Sequence, residues 1–430
     1  MTGRREVPPS ARTSPWLLAC GGALVTLTAA STVRAGGYEI VQQSARAGGM
    51  GSASTARDDD GGAAWFNPAA LADGQGLRTS LGVTLAFPTL HAEALAFAPD
   101  APWEADTESA VSPPPHVYAS YAQDDWLVGV AANLPFASRV QWPSDWRHRF
   151  DVISSEIQFF RIAPFLGWRF APIRVAAGPQ FDVGRVHLKR ATNHIEQEGS
   201  SAIVMSGNGY GGHVSVFYDA LDWLALGLSY RSRSLSPLEG DADFSVPEVF
   251  AADLPDQKVS TDWWLPDRIA AGVGLDFGPV VALLDVTVTL WSVSDSLLIH
   301  FDDPATDDRQ TPRAWRDSMA VRLGAEWTPV EPLTVRGGFY ADGLPEPPPP
   351  RETLSPSSPD SKRLAGTLGA SVVIADFLAA DVFYEHMRLL ERKSTSEDAP
   401  MASYSGYAHF LGFGVRLHVD PQLGADEPEP

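Results

Sequence analysis

Beyond its first 35 residues the chain contains no cysteine; the single one is Cys20. Exported soluble domains are commonly stapled by disulfides, so a long exported chain without any needs another framework. Long apolar runs are missing too. No segment after the leader reaches about 18 uninterrupted apolar residues, which excludes a helical membrane protein. Basic residues are scarce: 32 Lys and Arg stand against 53 Asp and Glu, a net of -21, and beyond residue 35 the balance is 28 to 52. Nucleic-acid binding needs the opposite sign. Catalytic and metal-binding groupings are absent as well. "MSG" and "YSG" lack a nucleophile-elbow context. His187, His213 and His386 have no metal-ligand spacing, and Ser215 with His213 on one strand face is a thin basis for a hydrolase. No catalytic residue, cofactor or metal is expected.

What is present begins with a leader. Arg4, Arg5 and Arg12 precede the apolar run "PWLLACGGALVTLTAAS" and the small-residue site "VRA" ending at Ala35, which reads as a secretory signal over 1–35. "LLAC" around Cys20 is too close to Pro15 for a lipoprotein box. Arg4-Arg5 is followed by Glu6 and prolines where a twin-arginine signal has an apolar residue. The acid concentrates in stretches such as "FAPDAPWEADTE" and "HFDDPATDDRQ". These read as solvated loops; divalent-cation bridging to lipid phosphates is the sharper alternative, without calcium-loop spacing to favour it.

From Leu77 the pattern alternates. In "LRTSLGVTLAF", Leu77, Leu81, Val83, Leu85 and Phe87 share one parity, and Arg78, Ser80, Gly82 and Thr84 the other. "IRVAAGPQFDVG", "VVALLDVTVTL" and "MAVRLGAEW" repeat the design. Side chains alternate between strand faces, so each segment has an apolar and a polar side. Short turns near 123–125, 171–172, 220–222, 276–279, 328–332 and 375–376 alternate with long polar connections near 89–115, 136–154, 189–208, 235–262, 292–313, 341–361 and 388–405. Six short turns and seven long loops imply an all-β fold: a fourteen-stranded antiparallel outer-membrane β-barrel over 76–420, with both termini on the short-turn, periplasmic side. Closure satisfies every backbone group in lipid. Trp126, Trp168, Phe170, Trp223 and Trp327 beside the short turns suit an interfacial girdle. A soluble sandwich does not explain the alternating loop lengths. An acidic tail, 421–430, is expected to be disordered.

Residues 36–75 are too rich in small residues to fold alone and too apolar in places for a solvated tail. They are expected to start in the periplasm and fold back into the barrel as a hatch plugging the lumen, with the Asn-Pro turn of "WFNPAAL" fixing a reversal. The run "QQSARAGGMGSASTARDDDGGAAWFNPAALA" resembles the N-terminal hatch of the FadL/TodX family of outer-membrane hydrophobic-compound transporters. The likeness continues through "GVAANLPF", "IQFFRIAPFLGWRF", "LEGDADFS", "WWLPDRIAAGVGLDF", "LWSVSDSL" and "SPDSKRLAGTLGA". It implies a hatch-closed barrel in which hydrophobic molecules bind an interior apolar pocket and leave sideways at a kink of the third strand. Phe66, Asn67, Pro68 and Ala69 would then hold the hatch closed. Leu134, Pro135, Phe136 and Ala137 would form the lateral opening, with Ala137 standing where the family commonly has glycine. Pro135 gives a local reason for the break, since it lacks an N–H.

Strand parity places Phe160, Ile162, Leu166, Trp168 and Phe170 toward lipid and Arg161, Phe165 and Arg169 inward. It also sends Arg268, Arg322, Arg336, Arg363, Asp285, Glu326, Asp381 and Glu385 inward. Two readings stay open: a salt-bridge network bracing hatch and wall, or arginines that meet a ligand carboxylate beside an apolar pocket, with Arg161, Phe165, Arg322 and Arg336 as candidates. Outside, Val249, Phe250 and Leu254 in "VPEVFAADL", with Trp263 and Trp264 at the loop base, suit first capture of a greasy solute. The expected activity is passive outer-membrane uptake of a fatty acid, alkane or aromatic ligand by a monomer. Its expected partners are outer-membrane lipid, lipopolysaccharide and the barrel-assembly machinery, the last reading the chain end through Phe413. A general diffusion porin and a structural or adhesion barrel are the rivals.

Overall fold

The computed structural model describes residues 37–57, 60–98, 101–108, 111–194, 197–396 and 400–420. The expected signal segment and acidic tail lie outside the described residues. Fourteen antiparallel strands follow one another: β1 (Gly76–Ala94), β2 (Pro115–Gln123), β3 (Trp126–Gln141), β4 (Ser154–Phe170), β5 (Ile173–His194), β6 (Gln197–Leu221), β7 (Leu224–Arg231, resuming as Ser234–Ser245), β8 (Gln257–Leu265, resuming as Asp267–Asp276), β9 (Val280–Leu290), β10 (Ser318–Val330), β11 (Leu333–Leu344), β12 (Arg363–Ala375), β13 (Leu378–Lys393) and β14 (Ala402–Val419). Each pairs with its successor, and β1 pairs with β14 from Leu77↔Val419 to Ala94↔Ala402. That last ladder closes the sheet on itself.

Alternation dictates the two faces. On β4, Ile162, Leu166, Trp168 and Phe170 are exposed, whereas Phe159, Arg161, Ala163 and Phe165 are buried. The girdle residues Trp126, Trp168, Phe170, Trp223 and Trp327 are all exposed, beside the turns at 124–125, 171–172, 222–223 and 331–332. An outer surface carrying Val183, Leu323, Phe339, Leu368 and Phe413 would be a liability in water and is what a hydrocarbon surround requires.

Three expected long loops are shorter than their sequence suggests. β5 and β6 stay paired out to His194↔Gln197, so 189–208 is mostly sheet. β7 and β8 pair as far as Ala242↔Gln257, leaving 246–256 as the connection. The stretch 292–313 folds into a small hairpin, Ser296–Phe301 against Arg309–Pro312. The cause is common to the first two. Above the lipid, outward positions face water and become polar, so the apolar stripe that marks a strand disappears while the ladder continues.

The leader, residues 37–75, packs against the inward faces of the strands. It contains two short helices, α1 (Ala45–Gly48) and α2 (Ala63–Phe66), and a 3-10 turn over Pro68–Asp73. Its course corrects one expectation. Gly37 sits at the long-loop end, donating its N–H to Asp360 at 2.6 Å and receiving the Arg363 guanidinium at its carbonyl. Asp73 sits at the short-turn end, paired with Arg169 at 2.7 Å. The described leader therefore starts high in the bore and descends to β1. Charge groups fix it between. Glu326 of β10 receives Arg46 at 2.9 Å, Arg57 at 2.9 Å and Arg336 of β11 at 2.6 Å. Asp285 of β9 accepts the backbone N–H groups of Ser54 and Thr55, each at 2.8 Å, and the Thr55 hydroxyl at 2.7 Å. Glycines let the backbones touch: a Cβ on Gly227 of β7 would lie 1.9 Å from the Thr55 carbonyl oxygen.

Candidate functional site

"WFNPAAL" forms the lower anchor of the leader. Asn67, in an extended conformation, joins α2 to the 3-10 turn, where Pro68 occupies the first position. Its side-chain amide donates to the carbonyls of Thr55 at 2.9 Å and Val216 at 3.0 Å. The Ala69 N–H donates to the Ser215 hydroxyl at 3.1 Å, so that serine serves the leader. Arg231 of β7 donates to the Trp65 carbonyl at 2.5 Å and lies 4.1 Å over the indole. Phe66, Phe165 and Leu127 complete one apolar cluster.

The kink of β3 falls at Leu134–Pro135. The β3–β4 register shifts between Asn133 and Phe136, and parity inverts across it. Ala131 and Asn133 are buried before the break, Phe136 and Val140 after it. On the other side, β2 pairs with β3 only as far as His116↔Asn133. Past that point the leader takes the place of a neighbouring strand. Ile40 donates its N–H to the Pro135 carbonyl at 2.8 Å, Ala137 donates to the Tyr38 carbonyl at 2.9 Å, and the Gln43 amide donates to the Leu134 carbonyl at 3.0 Å. Across the break stand Ala86 and Ser112, bridged to each other.

A cavity of about 180 Å³ lies at this break. Val41, Leu90, Met387, Leu389 and Phe410 make its apolar side; Asp342, Asp360 and Arg363 make a polar end. It is lined by both faces of one strand: Ser138 and Val140, which point inward, and Ala137 and Arg139, which point outward. The leader residues Tyr38 to Gln42 line the same cavity.

Tyr38 separates this cavity from a second. Its ring meets Trp291 at 4.8 Å, Trp315 at 5.7 Å, Phe136 at 6.0 Å and Trp263 at 6.2 Å. Its hydroxyl accepts from the Trp263 indole N–H at 2.8 Å. The second cavity, about 120 Å³, lies under the long connections, with Ile157, Leu188, Ile203, Leu297, Ile299 and Trp315 as apolar lining. Arg190 and Arg309 line it too, and among the described residues neither has an ion-pair partner. The Arg309 guanidinium is lowered to about 10, first by burial and then by the like charge of Arg190, with Asp151 opposing. Asp151 lines the same cavity and its charge opposes the lowering of both arginines. Arg313 is occupied differently, lying 4.4 Å over Trp263 and 5.4 Å over Trp315.

The four lumen residues named from sequence are not assembled around either cavity. Arg161 is locked to Asp182 at 2.6 Å with both side chains almost fully buried, and Ser234 donates to the same carboxylate. Phe165 packs under the lower anchor. Arg322 donates to the Thr287 hydroxyl at 3.0 Å, and Arg336 serves Glu326. Arg336 thus shares Glu326 with Arg46 and Arg57 of the leader, whereas Arg161 pairs within the wall alone. The outer-loop group divides. Val249 is 78% exposed, and Phe250 rests on the His194 ring at 5.0 Å. Leu254 is half-buried, closing one turn by donating its N–H to the Phe250 carbonyl. Trp263 corrects the expectation: it is buried in the Tyr38 cluster, because neighbouring strand residues face opposite ways and only half-buried Trp264 lies on the outer side. Tyr38, Arg190 and Arg309 were not singled out from sequence. Tyr38 had one signal, as an aromatic alone in a small-residue stretch; the arginines had none, since loop basic residues are commonplace.

Known proteins carry the same plan. The model of the family described as outer membrane protein transport protein (OMPP1/FadL/TodX) matches residues 26–416. An outer membrane protein of Neisseria meningitidis serogroup B is 23% identical over 90% of this chain and 96% of its own length. A FadL homologue from Pseudomonas aeruginosa superposes with a TM-score of 0.78 at 15% identity, covering 89% of this chain and 99% of its own. The toluene transporter TodX of Pseudomonas putida gives 0.68 at 14% identity, covering 90% and 99%. The toluene transporter TbuX of Ralstonia pickettii gives 0.65 at 16%, covering 87% and 98%.

Proposed function

The chain belongs to the OMPP1/FadL/TodX family of outer membrane transport proteins, and from that premise we propose that it admits hydrophobic compounds passively and releases them sideways into the outer membrane. A solute lands on the outer loops, enters the upper cavity, passes the Tyr38 cluster and reaches the cavity at the β3 break. The driving force is removal of apolar surface from water, about 0.8 kcal/mol per methylene. A site that binds by this force releases only if its shape changes, so the leader acts as a hatch. The segment Tyr38–Gln43 is the element placed to move, because it supplies both the edge pairing of β3 and the lining of the exit cavity.

The observation that carries this reading is the cavity with both faces of β3 in its lining. A diffusion porin has no use for a cavity at a strand break, and a leader whose described residues are mostly buried inside the barrel argues against one. An adhesion barrel has no use for either. The test is Ala137→Trp, which fills the outward side of the break while leaving the inward lining unchanged. Uptake of a radiolabelled long-chain fatty acid by cells should fall several-fold, while calorimetric binding to the purified protein persists. Undiminished uptake would sink lateral release.

The substrate class follows from the upper cavity. Arg190 and Arg309 favour a carboxylate-bearing amphiphile such as a long-chain fatty acid over a neutral hydrocarbon, with the chain against Ile203, Leu297 and Trp315. Arg161, Phe165, Arg322 and Arg336 then serve the frame of the bore.

A further inference from the structure

The outward face of β5 changes character abruptly along its length. From Ile173 to Val183 its outward residues are apolar, with Ile173, Phe181 and Val183 exposed. Eleven residues of tilted strand cover roughly 25 Å, the height of an outer-membrane apolar band. The next outward positions are Arg185, His187 and Lys189, the arginine and lysine both exposed. The same step occurs on the neighbours, where Phe160 gives way to Gln158 and Glu156, and Tyr210 to Asn208 and Ser206. Register brings Arg139 of β3 into this level, through Arg139↔Glu156 and Glu156↔His187.

Within a chain of net charge -21 this stripe is an exception. Among the described residues Arg139, Arg185 and Lys189 form no hydrogen bond or ion pair through their side chains. Glu156, the acid between them, accepts from the Gln158 amide at 2.7 Å. Two strands further on the outward residues are acidic, Glu239, Asp241 and Asp243 on β7. Cations are thus gathered on β3–β5, at the height where lipid phosphates lie, beside the wall break whose cavity Arg139 lines.

We propose that this stripe docks the phosphates of a multiply acylated, phosphorylated glycolipid of the outer leaflet. Arg185 and Arg139 present planar forks suited to phosphate oxygens, Lys189 adds a mobile charge, and the acyl chains lie on Phe181, Val183 and Tyr210, the last two 51% and 66% exposed. The bound lipid would stand next to the exit and order the membrane into which solute is released.

The test uses the full-length protein in nanodiscs, with lipid retention read by native mass spectrometry. The probes are bisphosphorylated lipid A and the same lipid stripped of phosphate. Wild type should retain the phosphorylated probe preferentially. Arg185→Ser with Lys189→Ser should weaken that retention roughly thirtyfold, from about 1 kcal/mol for each cation near an anionic surface. Arg388→Ser, an outward arginine on β13, should change nothing. If the double variant assembles poorly, Lys189→Ser alone should show roughly a fivefold loss by the same rule. Equal retention of both probes, or equal loss in the β13 control, would overturn the assignment; fatty acid uptake is scored separately, so transport can fail while docking stands.

Discussion

Asn67→Ala removes one side chain that ties the leader to itself and to the wall. The amide makes two buried hydrogen bonds, to the Thr55 and Val216 carbonyls, and the residue is fully buried. A buried hydrogen bond is worth about 1 kcal/mol net, so the closed arrangement loses about 2 kcal/mol. That shifts the ratio of open to closed leader by about thirtyfold, at about 1.4 kcal/mol per decade. The barrel itself should be untouched, since its ladders do not pass through Asn67. The assay pairs single-channel conductance in planar bilayers with heat-modifiable gel mobility. Wild type should conduct poorly, the variant should flicker open far more often, and both should migrate as folded barrels. A variant that is folded and as silent as wild type would refute the reasoning that these bonds hold the leader closed.

Other substitutions test other parts of the account. Glu326→Ala leaves Arg46, Arg57 and Arg336 without their shared acid; removing one partner of a buried ion group costs about 3–5 kcal/mol, so the variant should conduct more than Asn67→Ala and lose protection of residues 37–57 from proteolysis. Gly227→Ala drives a methyl toward the Thr55 carbonyl, an overpacking cost of about 1–3 kcal/mol, and should raise conductance without altering mobility. Arg190→Ser with Arg309→Ser should lower uptake of a fatty acid about tenfold, equivalent to about 1.4 kcal/mol of charge-assisted contact, while uptake of a neutral hydrocarbon of similar length holds.

The barrel was legible because lipid imposes a simple rule. Outward positions must be apolar, so Leu77, Leu81 and Phe87 announce the first strand, and Phe160 to Phe170 announce the fourth. Where that rule lapses, the reading lapses. Lys189 and Gln257 lie in sheet, yet their outward neighbours face water, and nothing in such segments distinguishes strand from loop. The inward direction of Arg161, Arg322 and Arg336 was also legible, since parity alone fixes it. Their partners were not. Arg161 meets Asp182 only through the β4–β5 register, and Arg336 meets Glu326 only through β10–β11.

The break in β3 could be anticipated from Pro135, which supplies no donor. What could not be anticipated is that leader backbone at Tyr38 and Ile40 completes the edge. Those bonds use main-chain atoms, which any residue provides. The course of the leader is hidden in the sequence for a related reason. Small residues report that a segment packs closely, but not which end lies high; Asp360 and Arg363, more than 300 residues away in sequence, decide that Gly37 lies at the long-loop end.

Photolabelling tests the central claim most directly. A long-chain fatty acid carrying a photoreactive group at its tail would be bound to the reconstituted protein, irradiated and mapped by peptide mass spectrometry. The account predicts adducts at Met387 and Phe410 in the inner cavity and at Ala137 or Arg139 on the membrane side of the break. Adducts confined to the short-turn end, around Asp73, Arg169 and Trp223, with none on β3 beyond Pro135, would mean that solute leaves through the floor of the barrel and contradict lateral release.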